Sequence, residues 1–233
     1  MSETIHIQSF VAAPPAAAWS GLAGRPDVVL DALPIHAWPE PREEREAERL
    51  SAHWPAQDGA PATTVEVTLA PTSSGTRVDV RHEGWPEGPG AQNALAGHFA
   101  GWLQALAALG LLVECGKDAR ASTPQLAARE RYFASAELPA GPDAVFRALT
   151  DARVLARWSR DALSGASLMD SVESRYARWS LAAGPDAEPH ELVVILRPTP
   201  RGTHCALAEY GVADRSASAR WPKMLERLAQ FLR

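Results

Sequence analysis

The chain has little of what marks special chemistry or a special compartment. Cysteine occurs only twice in 233 residues, at Cys115 and Cys205. Two cysteines so far apart form neither a disulfide framework nor a cysteine-rich metal cluster, and neither a metal nor a cofactor is expected. No run of roughly 18 residues is free of polar and charged groups, so membrane insertion is not expected. The opening Met1-Ser2-Glu3-Thr4-Ile5-His6-Ile7 lacks the basic and apolar regions of a secretory leader, and a cytoplasmic location is the expectation. Basic residues are not in surplus. Lys and Arg number 23 against 28 Asp and Glu, a net charge of -5, which argues against nucleic acid as a partner. There is no Gly-x-Gly-x-x-Gly, no Walker-type loop, no Gly-x-Ser-x-Gly elbow and no metalloprotease helix, so a dinucleotide enzyme, kinase or serine hydrolase of the familiar kinds is not expected.

What is present is a repeat. The segment Val65–Trp85 aligns without a gap on Leu192–Val212, 127 residues later, and Val67, Leu69, Pro71, Thr72, Gly75, Thr76 and Gly84 meet identical residues. Each block reads as strand, turn, strand, with alternating apolar residues flanking Pro-Thr-x-x-Gly-Thr. The same offset sets Pro15–Leu22 on Pro142–Leu149, two short helices opened by proline. Arg49–Trp54 resembles Arg175–Trp179 at a slightly smaller offset. Both halves end in an amphipathic helix. Leu95, Phe99, Trp102, Leu106, Leu109 and Val113 form one stripe, and Trp221, Leu225, Leu228 and Leu232 the other, with Pro222 expected in the first turn. Strands followed by a long helix indicate an α+β fold with antiparallel sheets. The expected division is 1–116, a polar linker over 117–128, and 129–233. The charged run over 41–49 has helical composition, but its place in the repeat favours a solvated edge strand.

Three strings carry a family resemblance: Gly75–Trp85, the helix segment Gly97–Leu106 with its Gly101-Trp102 pair, and the opening Ala13–Trp19. They resemble the SRPBCC (START-like) superfamily, which has the helix-grip fold. The nearest branch is the one named after the activator of the heat-shock protein 90 ATPase homologue. The resemblance runs from Ile5 to Glu114. The second half carries it more weakly, with Arg220-Trp221-Pro222 where the first has Gly101-Trp102. It implies two domains, each a curved antiparallel sheet around a long helix with an apolar cavity between them. The implied function is binding of a small apolar molecule. Cyclase, aromatase or hydrolase chemistry using a cavity acid or base, and a ligand-free protein-interaction module, are the alternatives.

Strand alternation places Val78, Val80 and His82 on one face and Cys205, Leu207 and Glu209 on its equivalent. A titratable residue therefore faces inward at the same position of both copies. It is either a polar anchor or acid–base at a cavity mouth, or a strand-end residue reaching solvent or a backbone group. The ligand-binding candidates are His82, Val80, Phe99 and Trp102 in the first copy, and Glu209, Leu207 and Trp221 in the second. His98, beside the helix stripe, is expected to pack at the core edge, and a metal shared by His82 and His98 lacks support from ligand spacing. Trp19, Trp102, Trp158, Trp179 and Trp221 are expected in the core, and Trp38 and Trp85 in loops that could line a cavity mouth. The strand Leu192–Leu196 is apolar on both faces, and such a strand is usually covered on both. Its outer face, Val193 and Ile195 with Ala206 and Ala208, is therefore expected to meet the first domain or another copy.

Overall fold

The computed structural model describes residues 3–33, 37–40, 42–56, 62–123, 126, 131–159, 163, 165–181, 190–211 and 216–233. The chain divides into two compact units, Met1–Asp118 and Ala119–Arg233. The expected linker spans that boundary, and its Pro124, Gln125 and residues 127–128 lie outside the described residues.

The first unit runs β1 (Glu3–Val11), α1 (Pro15–Gly24), α2 (Pro26–Val29), β2 (Arg42–Arg45), β3 (Arg49–Trp54), β4 (Thr63–Thr72), β5 (Gly75–Trp85), α3 (Pro89–Cys115). The second repeats it as β6 (Arg131–Leu138), α4 (Pro142–Thr150), α5 (Ala152–Trp158), β7 (Ser167–Val172), β8 (Tyr176–Leu181), β9 (His190–Thr199), β10 (Gly202–Tyr210), α6 (Ser216–Phe231). Each unit holds a five-stranded antiparallel sheet, ordered β1-β5-β4-β3-β2 and β6-β10-β9-β8-β7. These are two helix-grip domains of the α+β class. Period-two burial follows the pattern of the sequence: Val65, Val67 and Leu69 of β4 are buried, as are Thr76, Val78, Val80 and His82 of β5. The long helix of each unit lays its apolar stripe on that face, through Trp102, Ala105, Leu106 and Leu109 in one and Trp221, Met224, Leu225 and Leu228 in the other.

Helix α3 is apolar enough to span a membrane by length and composition alone, but most of its apolar window is buried in the protein. Pro222 lies inside α6, not in its first turn, because the helix begins as early as Ser216. The charged run forms the edge strand β2, whose residues are mostly exposed. Arg42 pairs with Glu44, and Arg45 with Glu48 at 3.3 Å. Pro41 lies outside the described residues. Helix propensity yields here to strand pairing, and the charges blunt an edge that would otherwise be open to other strands.

The ladders correct one alignment. Trp54 pairs with Thr63, and Leu181 with His190. The offset of 127 therefore holds through β3 and β8, so that Leu181 replaces Trp54 and Trp179 stands where the first copy has Ala52. Finer details repeat at the same offset. Ala47 and Ser174 both turn with positive φ, at 56° and 60°. The next residues, Glu48 and Arg175, offer their carbonyls to Leu69 N–H and Leu196 N–H, at 2.7 and 2.8 Å. Thr76 Oγ1 and Thr203 Oγ1 donate to the carbonyls of Ala13 and Ala140, each at 2.7 Å.

The outer face of the second sheet is covered. Val193, Ile195, Ala206 and Ala208 are each at most 1% exposed. The first residues of the same unit are bonded to that face. Tyr210 Oη donates to the Ala119 carbonyl at 3.3 Å, Arg178 Nη2 to the Arg120 carbonyl at 2.7 Å, and Ser122 N–H to Glu191 at 2.8 Å.

Gly75 and Gly202 open the second strand of the two hairpins where backbones nearly touch. A Cβ on Gly75 would stand 2.2 Å from the Val11 carbonyl oxygen, and one on Gly202 2.1 Å from that of Leu138. Gly202→Ala is expected to cost about 2 kcal/mol of stability, the usual scale of forced backbone strain. Gly97→Ala, whose Cβ meets nothing within 4 Å, should instead add up to about 1 kcal/mol through helix propensity. Urea unfolding of the two variants checks both signs.

Candidate functional site

The inward residue of the last strand and the tryptophan of the long helix meet in both units. In the first, Trp102 Nε1 donates to His82 Nδ1 at 3.1 Å, and His82 Nε2 lies 2.6 Å from Thr63 Oγ1. An indole nitrogen can only donate, so Nδ1 accepts and the proton of a neutral ring sits on Nε2, directed at Thr63. His82 is fully buried. Burial, with a lesser contribution from His98, lowers its pKa to about 3. In the second unit Trp221 Nε1 donates to Glu209 Oε2 at 2.5 Å. Arg220 Nη2 reaches both Glu209 oxygens at 2.6 Å, and His190 Nδ1 lies 3.5 Å from Oε1. Thr63–His82–Trp102 and His190–Glu209–Trp221 are the same three places in the two copies.

A buried histidine at one and a buried carboxylate at the other follow from the residue preceding the tryptophan. Glu209 is fully buried, and a buried carboxylate needs a partner of opposite charge. Arg220 supplies it, lying 4.8 Å over the Trp221 ring with its head half out in solvent. The first unit has Gly101 there, and nothing larger fits without movement. A Cβ on Gly101 would meet Leu33 Cδ2 at 2.7 Å and the Ala32 carbonyl oxygen at 3.0 Å. The chain after α2 crosses the helix at that point, so no arginine can be placed there and the inward group is neutral.

Around His82 the first unit gathers an aromatic cluster. Trp54 lies 5.3 Å from His82 between ring centroids and Trp85 lies 4.8 Å from it. The His98 ring is 5.3 Å from His82, 5.9 Å from Trp54 and 4.8 Å from Trp85. His98 Nδ1 is 3.0 Å from the Ala94 carbonyl. A carbonyl only accepts, so Nδ1 carries a proton. Burial lowers the His98 pKa and so favours the neutral ring, whose Nε2 keeps its lone pair. Among the described residues, three polar atoms of this cluster are buried with no hydrogen-bond partner: Trp54 Nε1, Trp85 Nε1 and His98 Nε2. They are two donors and one acceptor.

The structure corrects several expectations. Phe99 is 42% exposed, because the inward row of α3 runs through His98 and Trp102, one residue behind it. His82 and Glu209 reach neither solvent nor a backbone group. They are consumed by side chains, and with both nitrogens engaged His82 has no lone pair left for a metal shared with His98. Trp85 and Trp38 are buried at 0% and 3% exposure and do not line a mouth. Trp38 Nε1 donates to the Leu22 carbonyl at 2.9 Å, as Trp158 Nε1 does to that of Ala148. Val80, Leu207, Trp102 and Trp221 are fully buried, and Trp19, Trp158 and Trp179 lie in the two cores. Cys205 is buried, which pushes its thiol up to about 12. The slightly smaller offset read for Arg49–Trp54 conceals that Trp54 belongs to the cluster. The signal was available in the strand pattern, where Trp54 continues the alternation Leu50, Ala52, Trp54.

His82 makes acid sensitivity predictable. The unfolded chain takes up its proton near the ordinary histidine value of 6.5, while the folded site resists protonation down to about 3. Its contribution to stability is complete above pH 6.5 and lost as pH falls toward 3, by up to about 1.4 kcal/mol per pH unit. His82→Gln, which can still accept from Trp102, should show a shallower fall in urea stability between about pH 6.5 and pH 4. An unchanged slope would remove His82 as its source.

Comparison with known proteins gives one family match. The family described as "Activator of Hsp90 ATPase homolog 1-like protein" matches residues 40–114. No curated protein sequence matches the chain. Among solved structures, DynU16 of the dynemicin biosynthetic locus is 17% identical, covering 98% of this chain and 95% of its own, with TM-score 0.43. The di-domain ARO/CYC protein BexL of the BE-7585A biosynthetic pathway is 13% identical, covering 99% and 97%, with TM-score 0.39. The Aha1 dimer from Colwellia psychrerythraea is 16% identical over 44% of this chain and 96% of its own, with TM-score 0.40. The chain is a tandem pair of helix-grip domains, and residues 40–114 of the first are similar to the activator of Hsp90 ATPase homolog 1-like family.

Proposed function

We propose that the chain binds a small apolar ligand in its first domain and that the inward titratable residues hold the fold instead of performing acid–base chemistry. One observation carries this reading: three buried polar atoms without partners, Trp54 Nε1, Trp85 Nε1 and His98 Nε2, in a single aromatic cluster. Leaving a buried donor or acceptor unpartnered costs about 1–3 kcal/mol each, and native proteins rarely keep such groups together without a use for them. Aromatic walls with a few polar groups are how small-molecule sites are built. The second copy lacks this set, with Leu181, Val212 and Ala217 at the corresponding sequence positions. It serves here as a partner domain whose inward position is closed by Arg220 and Glu209.

The alternative of cyclase, aromatase or hydrolase chemistry needs a proton-transfer group with a free atom. His82 has both nitrogens engaged and a pKa near 3, and both Glu209 oxygens accept bonds. The outer face of Val193, Ile195, Ala206 and Ala208 is covered by residues 119–122 of its own unit, so no association surface is proposed there.

Native mass spectrometry of the freshly purified chain should show an adduct that is lost on denaturation. In the ¹⁵N-labelled protein, the Trp54 and Trp85 indole signals should move when an apolar compound is added, while those of Trp102 and Trp221 stay in place. A protein without adduct, whose indole signals ignore apolar compounds, would overturn the reading.

A further inference from the structure

The types of the three unpartnered atoms define what they can recognise. Trp54 Nε1 and Trp85 Nε1 carry hydrogens and can only donate. His98 Nε2 presents a lone pair, since the His98 proton is committed at Nδ1 to the Ala94 carbonyl at 3.0 Å. All three residues are more than nine-tenths buried, at 2%, 0% and 8% exposure. A group that meets them must accept twice and donate once. A carboxylate or phosphate accepts but cannot donate to His98, and a carbonyl or ether has the same defect. A hydroxyl does both, its oxygen taking the two indole hydrogens and its own hydrogen going to His98 Nε2.

Charge points the same way. The residues in ring contact within the cluster are Trp38, Trp54, His82, Trp85, His98 and Trp102. His82 is neutral because its Nδ1 accepts from Trp102, and burial favours the neutral form of His98, so the ring cluster itself offers an anion no counter-charge. Buried in such surroundings, an ionised ligand would lose its hydration without a replacement. A neutral molecule loses little and gains the aromatic faces.

We propose that the first domain recognises a neutral, hydroxyl-bearing apolar molecule, an alcohol or phenol, with its hydroxyl held by Trp54, Trp85 and His98. This rests on the ligand-binding reading above and adds the functional group.

Three probes of nearly one shape test it: p-cresol, p-xylene and p-toluate, which differ only in carrying a hydroxyl, a methyl or a carboxylate. They are titrated into the full chain at neutral pH by calorimetry, with the indole N–H signals followed in parallel. The expected result is p-cresol at least about tenfold tighter than either of the others, the order expected for one well-made buried hydrogen-bond set. Trp85→Phe keeps the ring and removes the N–H, and should shrink that preference about threefold or more. Should this variant lose its near-ultraviolet circular dichroism, Trp54→Phe makes the same test. Equal affinity for p-cresol and p-xylene, with Trp54 and Trp85 signals moving for both, would leave the binding site standing and overturn the hydroxyl. Tightest binding of p-toluate would overturn it as well. The absence of heat and of signal movement with all three would remove both readings together.

Discussion

One hydrogen bond repeated in two chemistries organises both domains: an indole N–H of the long helix reaching the inward residue of the last strand. A helix laid on a sheet by apolar contacts alone can slide, because dispersion and hydrophobic burial have little direction. The bond from Trp102 to His82, like that from Trp221 to Glu209, fixes rotation and height of the helix at one point. The apolar rows below it then fall into register, with Leu106 and Leu109 in one unit and Leu225 and Leu228 in the other. It also explains why the strand ends in a polar residue on an otherwise apolar face.

The charge of that residue is decided elsewhere, by the room above the helix. Where the chain after α2 presses on Gly101, there is no place for a cation, and a neutral histidine closes the site with Thr63. Where that room is open, Arg220 folds over Trp221 and a carboxylate becomes tolerable. Divergence of the copies is thus a matched exchange at two positions, not a loss of one of them. Ionic closure gives both Glu209 oxygens a partner, while the neutral first site is flanked by Trp54, Trp85 and His98.

Much of this was legible in the chain. The offset of 127 residues, the strand-turn-strand blocks and the spacing of Trp102, Leu106 and Leu109 specify two copies of one architecture, and alternation alone turns His82 and Glu209 inward. Two kinds of information were not legible. Side-chain partners depend on which strands lie side by side, so the bonds from Thr63 and His190 could not be read before the ladder register was known. A helix stripe gives a face about a hundred degrees wide, too broad to decide between His98 and Phe99. Burial of Trp38 and Trp85 was hidden for a related reason. Both sit beside prolines, which suggest loops, and only the packed structure brings them into the core.

The central claim is that inward residue and helix neighbour form one unit, so it is tested most directly by exchanging them in the second domain. Glu209→His alone sets a histidine under Arg220, and Arg220→Gly alone strands a buried carboxylate, a loss on the order of 3 kcal/mol. The double variant recreates the pair found in the first domain. A double-mutant cycle by urea unfolding should give a coupling of more than about 1 kcal/mol, with the double variant more stable than the summed single losses predict. Strict additivity of the two losses would contradict the account.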